Sequence, residues 1–268
     1  MKFWPSSIGF LISCTPMVST VVELKPETAA AWEQYIGTVD RRLKATSAAD
    51  GRFLWIDEAP GRVESVQRGE VLVSQIRTDA TKVGPHGLIH DWIGGMFVAN
   101  ATMADALAVA RDYERYPDWY GPTVDQASLL GRSSHEDRFK IRYVRTALFV
   151  TVVLDAEYET RYYQVDSTRW YSISRSLRIR EIHDYGRAND RRIPADDGGG
   201  YLSRIYSVSR YEQRDNGVYI EQENIALSRG IPASLRWMIE PVVRRLSRDL
   251  LTKTLQQTQA AVRSRSGG

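Results

Sequence analysis

Between residues 88 and 227 the chain alternates with a period of two, the signature of strands that show one face to a core and the other to solvent. Across 138–146, Phe139, Ile141 and Tyr143 alternate with Lys140 and Arg142. Further strands are expected at 71–76, 88–98, 123–131, 150–163, 168–182, 201–213 and 218–227. The second of these carries Gly94-Gly95, a pair that predicts a bulge or a close backbone approach. Arg214-Asp215-Asn216-Gly217 lies between the last two, and its Asn-Gly step is a strong hairpin signal.

Three segments switch to helical spacing. Lys25-Pro26-Glu27 opens one, with Ala30, Trp32, Tyr35, Ile36, Val39 and Leu43 on its apolar side, ending near Lys44. Thr102 is a plausible N-cap for a short helix through Met103, Leu107, Val109, Ala110 and Tyr113, which Tyr116-Pro117 interrupts. The third spans 233–262, with a stripe through Leu235, Met238, Ile239, Val242, Val243, Leu246, Leu250, Leu251, Leu255 and Val262. Pro241 should kink it or start a second helix, and 264–268 read as a disordered tail. The loop 184–200 is polar and ends in three glycines.

A chain of 268 residues with 43% hydrophobic and 26% charged residues can bury a sizeable core. Net charge is +3, and the arginines are scattered among acids without a basic block, which argues against a nucleic-acid partner. The single cysteine, Cys14, excludes a disulfide framework and a multi-cysteine metal site. It lies in a segment with Lys2 and the run Ile8–Ile12 that resembles an export signal, shortened by Pro5, Ser6 and Ser7. Leu11-Ile12-Ser13-Cys14 resembles a lipobox, so membrane association through the N-terminus is one reading; a frayed apolar terminus in a cytoplasmic protein is the other. No later run approaches the ~18 apolar residues of a membrane span.

Gly87-Leu88-Ile89-His90-Asp91-Trp92-Ile93-Gly94, the aromatic break from Tyr113 to Tyr120, the hairpin end Leu227-Ser228-Arg229-Gly230-Ile231-Pro232 and the long closing helix together resemble bacterial START-like proteins of the SRPBCC superfamily. That superfamily includes polyketide cyclases, lipid-transfer domains and the birch-pollen allergen type. The resemblance covers roughly 88–262. It implies an α+β helix-grip fold, in which a curved antiparallel sheet grips the C-terminal helix around a cavity. The division expected is a possible export signal at 1–22, an N-terminal helical extension at 23–86 packed through Trp32, Phe53 and Trp55, the START-like domain at 87–263, and the tail. It also implies binding or transfer of a hydrophobic small molecule (a lipid, isoprenoid or polyketide-like compound), with no cofactor, and as an alternative a cyclase/aromatase-type reaction in the same cavity.

The residues themselves offer little catalytic chemistry. His86, His90, His135 and His183 lack metal-ligand spacing, and neither a nucleophile elbow nor a phosphate-binding loop occurs. His90-Asp91 and His183-Asp184 are adjacent, so within a strand their side chains point to opposite faces. His90, Arg204 and Glu223 are the weak catalytic candidates. Trp92, Phe97, Tyr143, Tyr158, Tyr162, Trp170 and Tyr206 are the candidate cavity lining. Arg175, Glu181, Arg204, Arg210, Glu221 and Glu223 interrupt the strands with charge. They either anchor a ligand head group inside or form cross-strand pairs on a solvated convex face.

Overall fold

A computed structural model describes residues 26–48, 52–76, 81–82, 87–147, 150–183, 185, 191–192, 202–229 and 233–267. The N-terminal run with Cys14, His86 and most of the glycine-rich loop lie outside these residues. The chain begins with helix α1 (Pro26–Thr46), a 3-10 turn (Trp55–Glu58) and α2 (Arg62–Gln67). Strands β1 (Leu72–Gln75), β2 (Thr81–Lys82) and β3 (Gly87–Ala99) follow, then α3 (Met103–Arg111) and α4 (Tyr116–Tyr120). The rest of the sheet is β4 (Val124–Arg132), β5 (Glu136–Ala147), β6 (Val150–Gln164), β7 (Arg169–His183), β8 (Arg191–Arg192), β9 (Leu202–Arg214) and β10 (Gly217–Arg229). Helix α5 (Ala233–Ser266) closes the chain.

Every strand pair is antiparallel, and the order β1-β3-β10-β9-β7-β6-β5-β4 makes an open, curved sheet. α3 and α4 carry the chain from β3 across to the far edge at β4. A Thr102–Asp105 capping box starts α3, as the N-cap residue predicts. The β9–β10 turn places Asp215 and Asn216 at φ of 53° and 55°, a left-handed pair suited to short polar side chains.

α5 packs on the concave face and α1 on the convex face. Leu251, Leu255, Ala261 and Val262 meet Met96, Val98, Tyr211, Val218 and Ile220. Trp32, Ile36, Val39 and Leu43 meet Ile89, Tyr206, Val208, Ile225 and Leu227. At Gly94 and Gly95 the sheet is closely approached from both faces, by α5 and β1 at Gly94 and by the 3-10 turn at Gly95. A Cβ on Gly94 would lie 2.5 Å from Leu255 Cδ1 and 2.9 Å from the Leu72 carbonyl oxygen, and one on Gly95 would lie 2.8 Å from Ile56 Cγ2. The β3–β10 register runs through this pair without a shift, so close approach is the role of the glycines and there is no bulge.

Three expectations need correction. α5 runs through Pro241 as one helix and continues to Ser266, so most of the expected tail is helical. Leu250 is 36% exposed, and the buried seam is carried by Leu251 and Leu255. The segment before Gly87 does more than pack on the sheet: β1 pairs with β3 as an edge strand.

Candidate functional site

Parity along the strands sorts the candidate residues. On β3, His90, Trp92, Met96 and Val98 face α5, while Ile89, Asp91 and Phe97 face the other way. Phe97 packs against Tyr219 beneath the 3-10 turn, with the rings tilted by 40° at 4.5 Å between centroids. An inserted residue at Gly94-Gly95 would have turned Phe97 to the side of Trp92, but the register there is continuous. Tyr206 also faces outward, and its hydroxyl donates to Asp40 of α1. Phe97 and Tyr206 therefore line the convex core and not the cavity side. The convex face needs apolar residues because α1 covers it.

Trp92, Tyr143, Tyr158, Tyr162 and Trp170 do share the concave face. Phe139, Ile141 and Tyr158 form a wall over β5 and β6 with Tyr143 packed against it, and Tyr113 stacks on Phe139 at 4.0 Å. Tyr116 and Tyr120 of α4 form the roof, edge to face at 5.0 Å. The roof is tied down by Tyr116 Oη donating to the Ala110 carbonyl at 2.6 Å and by a Tyr120–Thr258 hydroxyl contact of 3.0 Å with α5. Burial pushes the Tyr120 phenol up to about 12 and raises Tyr116, Tyr143, Tyr158, Tyr162 and Tyr211 as well. Each stays a neutral hydroxyl at physiological pH.

Beside the aromatic wall lies a lane of small uncharged polar residues. Ser172, Ser174, Ser207, Ser209, Gln222 and Asn224 project from β7, β9 and β10 toward α5. All but Ser172 keep accessible surface, as do Ile205 and Ala226 beside them. On β9 and β10 the middle of the opposite face is buried, at Tyr206, Val208, Arg210, Glu221, Glu223, Ile225 and Leu227. Where α1 covers β9 and β10 the usual arrangement of a one-sided sheet is locally inverted: the convex side is dry there and the concave side retains free surface, whereas over β5 and β6 the convex side carries exposed Arg138, Lys140 and Arg161. The sequence signal for the lane was present in Ser172-Ile173-Ser174 and Ser207-Val208-Ser209, whose alternation puts the serines on the faces of Trp170 and Tyr211.

The catalytic candidates are split between the two faces. His90 is buried on the concave side, with Nε2 2.8 Å from Ser228 Oγ. Glu223 is fully buried on the convex side, between Arg42 of α1 and Arg210, whose Nη2 is 3.4 Å away. Arg204 pairs with Glu33 of α1 at 2.6 Å. The sheet separates His90 from the other two, so the three cannot act on one substrate.

Five of the six strand charges, Arg175, Arg204, Arg210, Glu221 and Glu223, are convex and paired, as one sequence reading had it, but three of them are dry. Glu181, opposite Leu154 beyond the β6–β7 irregularity, falls on the concave face. Arg210, Glu221 and Glu223 have at most 3% exposure. Glu221 accepts the backbone N–H groups of Trp55 and Ile56 at 2.9 and 2.8 Å. Burial nonetheless pushes Glu221 up to about 7, against the Arg210 charge and those two bonds. Asp91 accepts from Tyr35 Oη at 2.6 Å and is also pushed up to about 7, by burial first and then by the Glu223 charge.

A separate open groove of about 510 Å3 lies outside the fold beside Leu107, Arg111, Arg132 and Ser133. Both of its guanidinium groups are held by the buried Asp137, at 2.8 and 2.9 Å. Among the described residues no cluster of His, Cys, Asp and Glu could hold a metal ion, and no helix is long and apolar enough to cross a membrane.

No protein-family model and no curated protein sequence matches the chain. Among solved structures it is similar to a STAR-related lipid transfer protein from Xanthomonas axonopodis, with 16% identity and a TM-score of 0.49 over 71% of this chain and 98% of that one. Human STARD10 aligns with 13% identity and a TM-score of 0.46, covering 72% of this chain and 69% of its own. The di-domain ARO/CYC StfQ of the steffimycin biosynthetic pathway aligns with 13% identity and a TM-score of 0.46, covering 67% and 53%. These alignments are distant, and the helix-grip architecture rests on the chain's own strand order, pairing and α5 contacts.

Proposed function

We propose that this protein binds a hydrophobic or amphipathic small molecule between the concave sheet face and the α4–α5 roof. One observation carries the reading. Ile205, Ser207, Asn224 and Ala226 sit on interior strands on the concave side and keep accessible surface, whereas Tyr206, Val208, Glu223, Ile225 and Leu227 between them on the convex side are buried. Side chains that fill their own interior leave no such surface. A space with an aromatic wall favours desolvation of an apolar guest.

The reaction-catalysing alternative has no comparable support, because His90 faces away from Glu223 and Arg204. The accessible side chains of the lane and the roof are neutral phenols, serines and amides, which position a guest; the hydroxyl in contact with the His90 imidazole, that of Ser228, is fully buried and is not presented to a guest.

Titration with a lipophilic fluorescent dye tests the reading. The wild type should bind saturably, and Ala226→Phe, which fills the space from the floor, should abolish binding while leaving the melting temperature within a few degrees. No saturable binding by the wild type, or a collapse of stability in Ala226→Phe, would show that the interior is already full. We also propose that the chain is exported, a reading supported by the N-terminal sequence alone. Recovery of the protein in the cytosol with Met1 intact would refute it.

A further inference from the structure

The space is not uniform, and its asymmetry points to the class of guest. One row of cross-strand partners crosses the concave face from β3 to β5: Trp92, Asn224, Ser207, Ser174, Thr160 and Asp137. The row beside it, toward the strand ends near α5's start, runs His90, Ala226, Ile205, Ser176, Tyr158 and Phe139, with the Ser176 hydroxyl already accepting from the Ile205 N–H. Directly opposed side chains on one face are close neighbours. The first row is therefore a continuous polar rung, and the second grades into the aromatic wall.

The rung is uneven in how far it satisfies itself. Thr160 and Ser174 bond to each other through their hydroxyls. Asp137 is fully buried and neutralised by Arg111 and Arg132, with Tyr113 Oη 3.1 Å away. At the other end, the Asn224 amide and Ser207 hydroxyl keep accessible surface and form no side-chain hydrogen bond among the described residues. Next to them Trp92 is 9% exposed, and its Nε1–H is buried with no acceptor. An indole donor left without a partner costs free energy that an incoming acceptor recovers.

We propose that the guest carries an uncharged hydrogen-bond acceptor, such as an ester, ketone or hydroxyl oxygen, which lies on the Trp92–Asn224–Ser207 end of the rung while its apolar body lies against Ala226, Ile205 and Tyr143, which keep surface beside the buried Phe139–Ile141–Tyr158 cluster. This rests on the binding reading above and narrows it. Trp92, Asn224 and Ser207 are all neutral, so they solvate a dipole and offer no counter-charge to a carboxylate or phosphate. A slight turn of the Trp92 ring, with Asn224 and Ser207 already accessible, lets one oxygen take bonds from both the indole and the amide.

Three probes with one fluorophore and one chain test it: a pyrene-labelled alkane, the corresponding fatty-acid methyl ester and the free acid. The ester should bind the wild type about tenfold more tightly than the alkane, the worth of one to two recovered hydrogen bonds, and more tightly than the acid at neutral pH. Asn224→Leu should remove the ester's advantage while leaving the alkane within about twofold, which a folding defect would not do. Ser207→Ala should reduce the advantage in the same sense. Equal binding of ester and alkane by the wild type, or tightest binding by the acid, overturns the proposal while the binding reading stands. If none of the three binds, the binding reading fails and the proposal goes with it.

Discussion

At the scale of single residues, the side chains that matter most are the ones that are absent or displaced from water. Gly94 lets α5 and β1 approach β3 together. Gly94→Ala should cost about 1 to 3 kcal/mol, because the new methyl meets both the Leu72 carbonyl oxygen and Leu255. Gly131→Ala, with nothing within 4 Å, should stay within about half a kcal/mol. Equal denaturant midpoints for the two variants would contradict the packing described. Asp91 gives a pH signature. Its folded-state value is raised to about 7 from an ordinary value near 3.8, so its contribution to stability is complete below about pH 4 and is lost as pH rises through about 7. The groups facing it are Tyr35 and Arg42 from α1, Glu223 from β10 and Arg210 from β9. The stability of the wild type relative to Asp91→Asn should therefore fall by up to about 1.4 kcal/mol per pH unit across that window and level off above it. A difference independent of pH would show that Asp91 does not titrate there.

At the scale of elements, the strands were legible because alternation survives wherever one face is buried, and all the long ones fall within a few residues of their expected ends. What alternation did not reveal was which face is which. Around β3, β9 and β10 both faces of the sheet are covered, so Phe97 and Tyr206 look like cavity residues in sequence while serving the convex core, Phe97 under the 3-10 turn and Tyr206 under α1. The dryness of Glu221 and Glu223 was equally hidden. Isolated carboxylates in a strand read as solvated, and only the position of α1 and the Trp55–Ile56 backbone shows that they are enclosed. Helix α5 illustrates the same limit. Its stripe is wide enough that Leu250 and Leu251 both look internal, and the structure assigns the seam to Leu251 and Leu255. Leu251→Ala should cost about 2 to 5 kcal/mol, and Leu250→Ala less than about 1. Chemical denaturation of the two variants checks this, and a larger loss at Leu250 would mean that the helix is rotated.

At the scale of the molecule, the sheet is held from outside and left accessible inside. α1 is fastened to the convex face by a buried apolar seam and by Arg42–Glu223, Tyr35–Asp91 and Arg204–Glu33. That outer clamp lets the concave side carry serines, amides and free surface without loss of a core. The concave face was partly readable: Trp92, Tyr143, Tyr158, Tyr162 and Trp170 were grouped from aromatic content and do share that face, while the serine lane was missed because small hydroxyl residues carry no strong functional signal. The central claim is that this interior holds a guest. Native mass spectrometry of the full chain, purified without detergent and then offered the pyrene-labelled ester, tests it most directly. The account predicts a complex with one probe per chain that survives gentle ionisation and is lost in Ala226→Phe. The bare chain alone, at every probe concentration, would contradict it.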